Sequence, residues 1–183
     1  MKPKFELFSI LIAIMAFGAI AQSENFSINI VVNYLDFSIE HADGGDYTSW
    51  WITEIIIGDT AMTDHEEIVK ITNLSNVPID IYCDARDFPD SATADSLWEP
   101  WAIDETASSD RFALRWASYT SAPTTPNIED SSPVLEVPMR LDSEVASGAV
   151  RFLCGWFLAP TDGFEDEQHR ILTRWTIAPF AGD

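Results

Sequence analysis

The sequence predicts an all-β fold, an antiparallel β-sandwich of about eight or nine short strands. Three observations predict it: apolar and polar residues alternate over most of the chain, no stretch sustains a helical period, and turn-forming clusters separate the alternating runs. The composition can support such a fold. Of 183 residues, 46% are hydrophobic and 12% aromatic, with 7 Trp and 11 Phe, which is far more than an uncollapsed acidic chain would carry. The length fits one domain.

Residues 1–21 stand apart from that fold. Lys2 and Lys4 precede the apolar run Leu7–Gly18, and Ala19-Ile20-Ala21 supplies the small residues of a cleavage site, so the segment reads as a secretory signal peptide cut after Ala21. A membrane anchor is the other reading. The uncharged stretch Leu7–Ala21 is shorter than the ~20 residues needed to cross a bilayer, which favours the signal and a secreted, extracellular or cell-surface location. Residues 22–183 are then expected to form a single β-sandwich domain.

Within that domain, Phe26, Ile28, Ile30 and Val32 alternate on one parity, and Leu35, Phe37 and Ile39 continue on the other. A strand whose apolar face flips needs a bulge or a crossing between sheets. Further strands are expected at Trp50–Ile57, Glu66–Asn73, Val77–Cys83, Arg111–Tyr119, Val134–Leu141, Ala149–Leu158 and His169–Ile177. Pro138 marks its strand as an edge. Asp43-Gly44-Gly45-Asp46, Asn73-Leu74-Ser75-Asn76 and Asp162-Gly163 are turn chemistry. The long acidic stretch Asp84–Asp110 and the Ser/Thr/Pro-rich stretch Ser121–Ser132 are expected to be loops and the places to look for a partner surface.

The cysteines fit export. Cys83 shares parity with Ile79 and Ile81, and Cys154 with Val150, Phe152 and Trp156, so period-two geometry places both sulfurs on core-facing sides. In an oxidising compartment a Cys83–Cys154 disulfide is expected, worth ~4 kcal/mol through loop closure. The alternative is two separate buried thiols acting as small hydrophobes.

Charge excludes whole classes of partner. With 10 Lys+Arg against 30 Asp+Glu, the chain is formally at −20 and offers no basic stripe to phosphate, so neither nucleic acid nor an anionic membrane surface is expected to bind. Removing Lys2, Lys4 and Glu6 with the signal leaves 8 basic and 29 acidic residues, a net of −21. No transmembrane segment is expected.

Catalytic patterns are weak. His65-Glu66-Glu67-Ile68-Val69 begins like a zinc-protease motif, but Val69 stands where the second His must sit one helical turn later. The remaining His41 and His169 are isolated, and no nucleophile elbow, phosphate loop or dinucleotide fingerprint occurs. Carboxylate pairs suited to glycoside hydrolysis are too numerous to single one out. The chain is expected to be non-catalytic and without a resident cofactor. One ion remains a candidate: Asp84, Asp87 and Asp90 recur in one stretch, and hard oxygen ligands on a flexible loop suit Ca²⁺, although solvated acidic turns give the same pattern. Trp98-Glu99-Pro100-Trp101 sets paired indoles beside a carboxylate, a combination that stacks on sugar rings, while tryptophans capping the end of a sandwich would read identically. Asn25-Phe26-Ser27 and Asn73-Leu74-Ser75 are glycosylation acceptor patterns.

The run from Glu67 to Ile81, with its Asn73-Leu74-Ser75-Asn76 turn, resembles the strand, Asn-containing turn and strand of immunoglobulin-like modules in prokaryotic envelope proteins and extracellular fibre subunits. The Cys83 to Cys154 separation is also similar to that of immunoglobulin domains. The expected sandwich is therefore immunoglobulin-like or jelly-roll-like, and the resemblance implies an exported, non-catalytic structural or adhesive role. Phe26, Ile28, Ile30 and Val32 have the form needed to add a strand to a neighbouring subunit's sheet, or to pair within their own sandwich. The expected function is a self-associating subunit of a cell surface layer or extracellular filament. A carbohydrate-binding or adhesive module using Trp98 and Trp101 is the alternative. Self-repulsion of so acidic a chain predicts that added salt or divalent cations raise the melting temperature, and a flat response in a thermal scan would refute it.

Overall fold

The computed structural model describes residues 33–52, 55–89, 102–109, 111–162 and 169–182, all within the unit Asn33–Asp183. The protein is all-β there, with two sheets. The strands are β1 (Phe37–His41), β2 (Thr60–Met62), β3 (Val69–Asn73), β4 (Ile79–Pro89), β5 (Ala102–Ile103), β6 (Arg111–Tyr119), β7 (Ser132–Val134), β8 (Met139–Val145), β9 (Val150–Leu158) and β10 (His169–Pro179). The larger sheet runs β1-β3-β9-β6-β5, with β2 pairing β9 and β7 pairing β6, and the smaller runs β10-β4-β8. The larger sheet is mixed, because β5 pairs β6 in parallel, Ala102 lying opposite Arg111, whereas the other ladders are antiparallel.

Period-two alternation builds the core. Ile79, Ile81, Cys83 and Ala85 of β4 meet Val69 and Ile71 of β3, Phe112, Leu114 and Trp116 of β6, and Leu153 and Phe157 of β9 in one buried cluster shared by both sheets. A second cluster, Ile68, Ala117, Cys154 and Trp156, lies on the opposite face of the larger sheet, with Phe152, Leu158, Tyr119 and Ile128 packed on it. Both faces of β6 and β9 are thus covered, which explains their nearly continuous apolar sequences. On the β8 side the sheets are tied together. Asp142 of β8 accepts hydrogen bonds from Arg151 Nε of β9 at 2.7 Å and from Ser118 Oγ of β6 at 2.6 Å.

Several expectations change. The expected strand Trp50–Ile57 forms no strand among its described residues. Tyr47, Trp50, Ile52 and Ile55 instead pack as a strap against the core, and Trp51 is 80% exposed. A hydrogen bond from Asp59 N to Ile56 O, with Gly58 at φ 81°, turns the chain before it can pair. The expected strand Val134–Leu141 is split between β7 in the larger sheet and β8 in the smaller, with Pro138 at the crossing and β8 at a sheet edge. The stretch Asp84–Asp110 is not all loop, since β4 extends to Pro89 and Ala102–Ile103 forms β5.

Gly155 lies directly opposite Trp116 in the β6–β9 ladder. A Cβ at Gly155 would come within 2.9 Å of the Trp116 ring, so the missing side chain is the space the indole occupies. From there Trp116 meets Trp175 edge-on at 5.2 Å and Trp50 at 6.2 Å. Gly155→Ala should therefore overpack this layer and cost ~1–3 kcal/mol, read as a fall in the melting temperature of several degrees. An unchanged melting temperature would show that the ring can move aside freely.

Candidate functional site

The sheet edges differ sharply in how they are protected. Among the described residues, β1 is 5 residues long and β5 only 2. The β8 edge is preceded by Pro138, its register against β4 shifts between Ile79 and Ile81 and again before Tyr82, and Glu144 sits at φ 53°. Proline, bulges and short strands are the devices that keep edges from recruiting other chains. β10 has little of this. It is 11 residues long, runs in unbroken register from His169 opposite Pro89 to Pro179 opposite Ile79, and β4 is its one partner among the described residues.

Two hydrogen bonds set the phase of this edge. Ala85 N donates to Leu135 O at 3.0 Å, away from β10, so Thr173, its opposite number, directs its own N–H and C=O away from β4. Phe180 N donates to Pro78 O at 3.0 Å, in the same phase. The outward backbone groups therefore belong to His169, Ile171, Thr173, Trp175 and Ile177. Pro179 has no N–H and ends the run. From Ile171 to Ile177 the same odd-numbered residues turn their side chains inward, and Ile171, Trp175 and Ile177 pack on the core. Leu172, Arg174 and Thr176 face out, exposed.

At one end of β10 lies a buried polar knot. Asn73 is 0% exposed. Its Nδ2 donates to Val77 O at 3.0 Å and Val145 O at 2.9 Å, and its Oδ1 accepts from Ser75 N at 2.8 Å. The turn it shapes also receives the N-terminal approach of the chain. Tyr34 N donates to Asn76 Oδ1 at 3.0 Å, and Asp36 N donates to Ser75 Oγ at 2.8 Å. Asn73 is thus corrected from a glycosylation acceptor to a structural plug, since both of its N–H donors are engaged inside the protein.

The other expected sites fare as follows. The Cys83–Cys154 bridge is not formed. Cys83 lies in the cluster between the sheets and Cys154 in the cluster on the far face, and a disulfide needs Cβ atoms facing each other at about 4 Å. The inner residues of β9 are Leu153, Gly155 and Phe157, so the larger even-numbered set marks the outer face. Asp84 and Asp87 do not share a flexible loop but lie on β4 with opposite parity. Asp84 is 8% exposed and is held by Arg174 across the ladder, with Nε and Nη2 each 2.9 Å from Oδ2. Asp90, Trp98, Trp101, Asn25, Phe26, Ile28, Ile30, Val32 and residues 1–21 lie outside the described residues. Val69 of the incomplete zinc-protease pattern is a fully buried core residue of β3, and the preceding turn is closed by Asp64 Oδ1, which accepts from Glu66 N and Glu67 N at 2.9 and 3.0 Å.

Sequence reasoning missed a small ionisable cluster beneath the strap. The Tyr47 ring stacks obliquely on His41 at 4.7 Å, and His41 Nδ1 lies 2.8 Å from Glu66 O. Burial, and then the charge of Glu67, push the Tyr47 phenol up. Burial and the nearby Asp64 also raise Glu67, partly offset by the Asp64 backbone hydrogen bond and by one to the Trp50 side chain. Tyr47 belongs to the strap, so its contact with His41 fastens the strap to β1. The long edge of β10, paired only with β4 among the described residues, was missed as well, because alternation reveals a strand but not its position in a sheet. No helix among the described residues is long and apolar enough to cross a membrane. The chain matches no protein-family model and has no significant match among curated proteins.

Both thiols should be inert in the native state. Burial pushes Cys154 up to about 11, opposed by a hydrogen bond with Thr63, and pushes Cys83 higher, aided by the charge of Asp84. A chromogenic disulfide reagent should therefore register no thiol in the folded protein and both after denaturation. A melting temperature that drops on adding reductant would restore the bridge.

Proposed function

We propose that the chain is an exported, non-catalytic structural subunit of a cell surface layer or extracellular filament, self-associating by strand addition. The observation that carries this reading is the long, regular edge of β10, with outward backbone groups at Ile171, Thr173, Trp175 and Ile177 and no bulge along its length. Such an edge is a template for another strand. The signal-like segment at residues 1–21 and the alternation of Phe26, Ile28, Ile30 and Val32 behind it support the same reading.

Charge limits how the subunits can meet. At −21 without the signal, copies repel one another and non-specific apolar clustering is suppressed, so attachment falls to directional backbone pairing. Two sheets around one shared core support an immunoglobulin-like sandwich, in which the parallel β5–β6 pair and the three-stranded smaller sheet are this chain's own features. A concentrated preparation beginning at Gln22 should yield sedimentable filaments or ordered layers in electron micrographs. A chain beginning at Tyr34 should fold with the same circular dichroism yet remain monomeric. If the Gln22 form runs as a compact monomer at every concentration, the subunit role is refuted.

A further inference from the structure

The β10 edge and the N-terminal segment fit each other in phase, length and direction. We infer that the β10 edge of one copy is filled by Phe26–Val32 of a second copy, antiparallel, with Val32 beside Ile171, Ile30 beside Thr173, Ile28 beside Trp175 and Phe26 beside Ile177. This rests on the subunit reading above and names its acceptor.

Phase comes first. The acceptor residues with outward N–H and C=O are odd-numbered and turn their side chains to the core, so a strand pairing with them directly opposite must also turn every second residue to the core. Phe26, Ile28, Ile30 and Val32 are such a set, with Ser27, Asn29 and Val31 between them. They would extend the apolar row of Ile171, Trp175 and Ile177. Length agrees as well. The stretch from Ile171 to the last outward N–H at Ile177 before Pro179 accommodates all of Phe26–Val32, and the edge runs on past it to His169.

Direction identifies the source as another copy. The smaller sheet is antiparallel throughout, and antiparallel ladders are the slightly more stable kind. Tyr34 is held to Asn76, and Pro179 lies opposite Ile79, so Asn33 lies toward the Pro179 end of β10. Ile171 lies near the other end of β10, roughly 26 Å away at ~3.3 Å per residue, whereas Val32 is about 3.8 Å from Asn33. Val32 of the same chain therefore cannot reach Ile171 in this register. The antiparallel register requires a second molecule. Each copy then offers one strand and one edge, a heterologous contact that propagates as an open chain.

The test uses the chain beginning at Gln22. Thr173→Pro removes an outward N–H without touching the β4 ladder, so the variant should keep the parent circular dichroism and lose sedimentable polymer. Ile30→Pro removes the facing N–H from the incoming strand and should do the same, which covers the case in which Thr173→Pro fails to fold. Mixing an Ile30→Cys chain with a Thr173→Cys chain and oxidising should give a disulfide-linked pair on a non-reducing gel, with Cys83 and Cys154 buried and silent. Polymer that persists in both proline variants, with no linked pair, overturns the β10 acceptor and leaves the subunit role standing. A bridge formed only within the doubly substituted single chain overturns the second-copy source in favour of self-pairing. Absence of polymer from the parent protein overturns the subunit role itself.

Discussion

Asn73 has two N–H donors and a carbonyl oxygen, and the protein uses all three at the point where both sheets begin. Its contacts to Val77 O and Ser75 N form the turn through which the chain passes from the larger sheet to the smaller. Its contact to Val145 O fixes the end of β8, beside the turn where the chain passes back. Main-chain bonds extend the knot. Asn73 N donates to Ala149 O and Gly148 N donates to Asn73 O, while Ser147 Oγ donates to Ser75 O. The bonds to Val145 O and Ser75 N are buried, and leaving either backbone group unpaired would cost ~1–3 kcal/mol. The turn that separates the sheets is shaped by this one carboxamide, and Ser75 and Asn76 of the same turn receive the chain as it approaches from Asn33.

Alternation in the sequence was enough to reveal β3, β6, β9 and β10 with nearly their true limits. It failed where one face of a strand did not stand out. In β9, residues 152, 154, 156 and 158 are as apolar as 153 and 157, because both faces are covered, so parity could not say on which side Cys154 lay. Only the tertiary partner of Trp116 shows why position 155 is glycine. The strap failed for a different reason. Tyr47, Trp50, Ile52 and Ile55 have the composition of a strand, yet their rings are satisfied by packing on a core edge without a ladder. Asp84 looked like a loop residue because acidic residues follow it, but Arg174 lies directly opposite in β10, and that pairing spans 90 residues.

The few cations are placed rather than scattered. Lys70 pairs with Glu40 across β1 and β3 at 2.8 Å, Arg151 with Asp142 at 2.7 Å, Arg174 with Asp84 at 2.9 Å and Arg111 with Asp104 at 3.4 Å. Arg115 instead holds Ser131, with Nε on Oγ at 2.9 Å and Nη2 on the carbonyl at 2.8 Å. The pairs between half-exposed groups contribute little to stability at ordinary salt. Arg151 with Asp142 is different in kind, since it is shielded and joins one sheet to the other. The acids far outnumber the cations, so the long-range field of the protein is negative even where these pairs are locally matched.

The distance in sequence between β4 and β10 has a consequence for how the molecule comes into being. Among the described residues, β4 is the central strand of the smaller sheet, and one of its two neighbours is β10, the last strand in sequence. During synthesis β4 emerges long before β10, so the smaller sheet stays incomplete until β10 has been made. Pairings this remote in sequence close slowly. The larger sheet has the same dependence on β9, which lies between β3 and β6. The fold therefore closes from its late strands backward, and a polypeptide interrupted before residue 169 would leave β4 bare on the side that β10 covers.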